Sequence, residues 1–139
     1  MSAEQNIALV HRMYAALDAG DIAAVPELFD PAWVNYDPSM PPLRGHPGAQ
    51  QLISILTTAF PDFHTILDDV IVEGDLIAAR MTHTATHRGV FLGIPATDRH
   101  AVVTATGIFR VTNGRLLESR VVFDALGLLQ QLGIIPAMA

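Results

Sequence analysis

Residues 101–123 read AVVTATGIFRVTNGRLLESRVVF. Two β-rich runs, Ala101 to Val111 and Leu116 to Phe123, flank Thr112-Asn113-Gly114, a turn signal that predicts an antiparallel hairpin. How the hairpin closes decides which side chains share a face. With Asn113-Gly114 alone as the loop, Ser119 faces Ile108 and Val121 faces Thr106. With Thr112-Asn113-Gly114 as a three-residue loop and Gly114 left-handed, the pairs are Phe109 with Leu117, Gly107 with Ser119, Ala105 with Val121 and Val103 with Phe123. The second register sorts polarity better. Thr104, Thr106 and Arg110 then share an outer face with Glu118 and Arg120, where opposite charges can pair. The inner face is almost wholly apolar, with Ala105 and Gly107 leaving side-chain volume unfilled at its middle. Ringed by Phe109, Leu117, Val121 and Phe123, that gap predicts a ligand hollow. A helix packed close against the small residues is the alternative.

Upstream, period-2 runs at Phe63 to Glu73 and Leu76 to His87 are joined by Gly74-Asp75, which extends the hairpin into a set of antiparallel strands. The N-terminal half is helical. Ser2 and Gln5 form a capping-box pattern, and Ile7, Val10, Met13, Tyr14 and Leu17 recur at helical spacing until Gly20. Asp21 can cap a short second helix through Leu28, kinked by Pro26. Residues 31–47 carry five prolines around a short strand at Trp33 to Tyr36, and Pro47 opens a helix from Gly48 to Phe60. A last helix, Ala125 to Leu132, follows Asp124 as N-cap and stops at Gly133. Helices first and antiparallel strands later make an α+β class, a curved antiparallel sheet whose apolar face the helices cover. The 139 residues suit a single domain, residues 1–139, with no repeat or linker.

Half the residues are apolar and 16% are charged, which excludes disorder over most of the length. Eight Lys and Arg against fourteen Asp and Glu give a net charge of −6, unsuited to a phosphate backbone. With no cysteine, disulfides, thiolate metal sites and a cysteine nucleophile are excluded. No apolar run approaches a membrane span and Glu4 does not suit a signal peptide, so a cytoplasmic protein is expected. There is no phosphate-cradling glycine loop and no nucleophile elbow, so no cofactor is expected.

His83 and His87 have the spacing of a helical zinc motif, but Thr82, Thr84 and Thr86 mark a strand, on which four residues span about 13 Å. No metal site is expected. His83 alternates with Ile77, Ala79 and Met81 and so faces inward, where a histidine can donate a hydrogen bond or move a proton. A satisfied structural histidine is the plainer reading. Asp62 and His64, two apart, are a second candidate for proton transfer, although Pro61-Asp62 equally reads as a loop leading into a strand. Tyr14 on the first helix and Met81 beside His83 complete the candidate lining.

Thr86-His87-Arg88-Gly89-Val90-Phe91-Leu92-Gly93-Ile94-Pro95-Ala96-Thr97, Asn113-Gly114-Arg115 and the run from Asp124 to Gly133 resemble the SnoaL-like polyketide cyclases. The similarity takes in Phe60-Pro61-Asp62 and the first helix, so most of the chain. It implies a nuclear-transport-factor-like α+β fold, a cone of helices on a curved sheet around a deep pocket, and a homodimer. Laid on Gly114 and Gly127, the family pattern puts the acid-base aspartate at Val121 and its histidine at Ser119. The pocket glutamine and histidine fall at Ala105 and Gly107, and the early asparagine is matched by Asn35. The resemblance therefore implies a cyclase pocket without its acid-base pair. Ring closure of a polyketide-like substrate by folding it in an apolar cavity, of the Diels-Alder type, fits that pocket. An acid-base cyclase or isomerase using His83 or Asp62, and a non-catalytic binder of small hydrophobic ligands, are the alternatives.

Overall fold

The computed structural model describes residues 2–137. Helix α1, Ala3–Ala19, starts at the expected capping box: Ser2 Oγ accepts from Gln5 N–H at 3.1 Å and Gln5 Oε1 accepts from Ser2 N–H at 2.9 Å. It ends at Gly20, left-handed at φ 68°. Asp21 does not cap the next segment through its side chain. A 3₁₀ turn at Ile22–Ala24 leads instead into the single turn α2, Val25–Leu28, because Pro26 is tolerated only in a helix's first turn.

Strand β1, Phe29–Asp37, is longer than the expected Trp33 to Tyr36, and β2, Met40–Arg44, adds an edge strand. Helix α3, Gly45–Ala59, begins two residues before Pro47. The other strands are β3, His64–Glu73, β4, Leu76–Thr86, β5, His100–Thr112, and β6, Arg115–Phe123. Helix α4, Ala125–Gln131, is capped by Asp124, whose carboxylate accepts from Gly127 N–H at 2.8 Å. The fold is α+β as expected, with one six-stranded sheet in the order β2-β1-β6-β5-β4-β3. Every neighbouring pair is antiparallel except β1 with β6, which is parallel, so the sheet is mixed.

The β5–β6 hairpin takes neither register considered from the sequence. Asn113 and Gly114 both adopt positive φ, 49° and 77°, and form a two-residue loop closed by Thr112 opposite Arg115. A bulge then shifts the pairing between Arg110 and Val111, so that Gly107 faces Val121, Phe109 faces Ser119 and Ala105 faces Phe123. Odd residues thus share the inner face as expected, but two positions out of the expected register. At the bulge Leu116 takes the buried position and Leu117 loses its inward place. A second bulge, at Asp68 of β3, and an irregularity in β1 interrupt the ladders and bend those strands. On the outer face Glu118 pairs with Arg120 at 2.7 Å and Arg110 with Asp75 at 2.8 Å.

Two apolar clusters form the core. The larger joins α1, α2 and α3 to the sheet through Leu9, Val10, Trp33, Ile53, Ile77 and Phe109. The smaller gathers Phe60, Phe91, Ala101, Val103, Leu128 and Leu132.

Candidate active site

A cavity of about 120 Å³ lies where these two clusters meet. Met13, Tyr14 and Leu17 reach it from α1, Leu52 and Leu56 from α3, and Leu128 from α4. The sheet contributes Trp33 and Asn35 of β1, His83 and Ala85 of β4, Ala101, Val103 and Phe109 of β5, and Ser119, Val121 and Phe123 of β6. Phe60, Phe63 and Phe91 close it from the connections, with Asp37 and Met40 beside the β1–β2 turn.

Seven positions singled out from the sequence therefore line the cavity: Tyr14, Asn35, His83, Phe109, Ser119, Val121 and Phe123. Met81, Ala105 and Gly107 do not, because their part of the inner face is filled. A Cβ at Gly107 would sit 2.7 Å from Phe109 Cζ and 3.2 Å from Met81 Cε. The gap left by the small residues is occupied by these two side chains, not by a helix. The hollow lies farther along β4 and β5, where Ala85 and Ala101 are the small residues. Leu117 is excluded by the bulge.

Asp62 is outside the cavity and half of a tie between loop and strand. Its two carboxylate oxygens accept from Thr86 N–H and Thr86 Oγ–H, each at 2.7 Å. Slight burial raises its pKa, but these hydrogen bonds outweigh that effect and hold the carboxyl below its ordinary value. It is also separated from His64, whose Nδ1 lies 3.7 Å from Asp18 Oδ2. His87 is fully buried near the Phe60 ring, 5.6 Å between centroids, and its Nδ1 accepts from Thr97 N–H at 3.3 Å. It anchors the 88–99 segment and takes no part in the cavity. Among the described residues no group of three or more His, Asp or Glu side chains could hold a metal.

The polar groups at the cavity are few. The Trp33 indole N–H donates to Ser119 Oγ at 2.9 Å, which satisfies both in a buried position. Asp37 Oδ1 accepts from Ser39 N–H at 2.8 Å and Ser39 Oγ–H at 2.6 Å, tying it to the turn. Burial, reinforced by the charges of Asp18 and Asp37, pushes the Tyr14 phenol up, so it stays protonated and can donate. His83 stacks on Phe63 with centroids 4.9 Å apart, and Tyr14 lies 5.8 Å away. Desolvation lowers the His83 pKa to about 4, which keeps the ring neutral at pH 7. Its Nδ1 is 2.9 Å from Thr65 Oγ1, and Thr65 in turn bonds Asp18. Sequence reasoning missed Trp33, Asp37, Phe60, Phe63 and Phe91 as lining. Their approach depends on the β1–β6 pairing and on how the 88–99 segment folds back, neither of which leaves a local pattern.

The sequence profile of the SnoaL-like polyketide cyclases matches residues 8–132. Among solved structures, TsrD from Streptomyces laurentii is 30% identical with a TM-score of 0.87, covering 97% of this chain and 99% of its own. IdmH from Streptomyces antibioticus is 29% identical with a TM-score of 0.80, covering 93% and 99%. An epoxide hydrolase of the LEH-like type from M. tuberculosis shares the fold at 17% identity and a TM-score of 0.75, covering 94% and 91%. No curated protein matches the sequence. Most of the chain is covered by the family profile, and its helices and bent sheet superpose on such proteins end to end: it belongs to the SnoaL-like polyketide cyclase family.

Proposed function

We propose that this chain is a cofactor-independent cyclase that folds the reacting segment of a largely apolar polyketide intermediate and promotes intramolecular carbon-carbon ring closure by positioning it. The observation that carries this reading is the make-up of the cavity wall. Aromatic and aliphatic side chains dominate it, and its imidazole and phenol are both neutral at pH 7. The carboxylate at its edge is engaged by Ser39. Val121 and Ser119 stand where the resemblance puts an acid-base pair, and Ser119 is occupied by Trp33. Such a wall favours a closure whose transition state develops little charge.

A Diels-Alder closure has that character: a diene and an alkene on one chain form two carbon-carbon σ bonds, and no proton moves. Holding the two partners in reactive contact can supply about 7–11 kcal/mol of the barrier. At about 120 Å³ the cavity is compact beside ligand clefts of roughly 300–1,000 Å³, so it would hold the reacting segment while the rest of the substrate extends outward.

The test is closure of a linear substrate carrying a conjugated diene tethered to an activated alkene, run in deuterium oxide. Acceleration over the protein-free reaction with no deuterium at the new ring carbons is the expected result. Deuterium at those carbons marks an enolate and proton transfer, which would replace this reading by acid-base cyclisation through His83. Saturable binding without acceleration would replace it by ligand carriage.

A further inference from the structure

We propose that Asp18 and Thr65 lock the His83 imidazole in its Nδ1–H tautomer, so that Nε2 meets the cavity as a bare hydrogen-bond acceptor and selects a substrate bearing an O–H or N–H donor beside its apolar segment. The selection role rests on the cavity being the substrate site; the lock itself does not.

The chain of bonds has one direction. An ionised carboxylate only accepts, and Asp18 accepts twice from one residue, from Thr65 N–H at 2.9 Å through Oδ2 and from Thr65 Oγ–H at 2.8 Å through Oδ1. The threonine hydroxyl has a single proton, and that proton is committed to Asp18. Thr65 Oγ1 therefore offers only lone pairs to His83 Nδ1, 2.9 Å away, and Nδ1 must carry the hydrogen. A neutral ring protonated at Nδ1 is unprotonated at Nε2. Nε2 has no protein hydrogen-bond partner among the described residues. The stack on Phe63 and the cross-strand pairing of Thr65 with His83 fix the ring plane. Burial disfavours a second proton on the ring. Burial also raises the Asp18 carboxyl, against the pull of the Thr65 bonds and of His64, so pH 8 is the condition at which the lock is fully set. Asp18 and Thr65 are thus positioning residues that act through His83.

The lock is read directly by ¹⁵N–¹H NMR of histidine-labelled protein at pH 8. The wild type should show a pyrrole-type Nδ1 and a pyridine-type Nε2 for His83. Asp18→Asn is the decisive variant. Its single carbonyl oxygen is needed by Thr65 N–H, so its NH₂ faces the Thr65 hydroxyl and donates. The Thr65 hydroxyl proton, no longer held by a carboxylate, is then free to donate to His83 Nδ1, and the tautomer should invert to Nε2–H. Thr65→Ser, which keeps the hydroxyl, should retain the wild-type pattern.

In the same samples, 1-naphthol should bind the wild type about tenfold tighter than 1-methoxynaphthalene, and Asp18→Asn should erase that preference. A wild-type His83 in the Nε2–H or a mixed form, or an unchanged tautomer in Asp18→Asn, overturns the lock. The expected tautomers with no preference for the naphthol overturn the selection role and leave the lock intact. Failure of both naphthalenes to bind counts against the cavity as the substrate site.

Discussion

A methyl group at Gly107 would meet the Phe109 ring at 2.7 Å and the Met81 terminus at 3.2 Å, so this glycine serves close packing. Overpacking of that kind costs about 1–3 kcal/mol. Gly107→Ala should lower unfolding stability by that amount in urea titration without a change in m value, and a variant as stable as the wild type would contradict the packing described. The same residue shows where a sequence reading stops. Its inward facing was legible from the alternation of Val103, Ala105, Gly107 and Phe109, and so was that of His83 from its place among Ile77, Ala79 and Met81. What fills a gap depends on rotamers of neighbours two positions away on the chain and across the sheet, and these leave no trace in composition. For the same reason Asp62 could be singled out, whereas its engagement with Thr86, 24 residues away, could not.

Helices and strands with local signals were readable, as where the capping box and terminal glycine bound α1. Asn113-Gly114 takes the doubly left-handed turn that its residues favour, whereas polarity sorting had preferred a three-residue loop. The bulge beside that turn was not, since one extra residue in β6 changes the pairing without changing the alternation on either side. Strand β2 was hidden by Pro41 and Pro42, which an edge strand tolerates because one side of it needs no ladder bonds. The parallel pairing of β1 with β6 joins residues more than eighty positions apart. The 88–99 segment is held by Arg88 N–H and Gly89 N–H donating to Ala59 O at 2.9 and 3.2 Å, and a Cβ at Gly89 would collide with Thr58 O. That close approach brings Phe91 into the cavity wall. The family resemblance covered this stretch, while its contact with α3 is a tertiary fact.

Across the whole molecule, the helices cover one face of the sheet and leave the other open. That outer face carries Thr104, Thr106, Arg110, Glu118 and Arg120, and the structure adds Ile66, Val102, Ile108 and Val122, each about half exposed or more. We propose that two copies meet through it, in the homodimer that the family resemblance implies. Sedimentation should give about twice the 15.0 kDa chain mass, and a monomer at all concentrations would contradict the proposal. Among the described residues no helix is long and apolar enough to cross a membrane. On the proposed function the fold acts as a mould, with the rate set by cavity shape and not by a proton donor or acceptor. Among the described residues His83 is the one imidazole in the cavity wall, and positioned proton transfer contributes about 10²- to 10⁴-fold. The most direct measurement is therefore the ring-closure rate of His83→Ala relative to wild type, with folding confirmed by circular dichroism. A mould should lose less than about a hundredfold, from one hydrogen bond to Thr65 and the ring contacts with Phe63 and Tyr14, and a larger loss would contradict it.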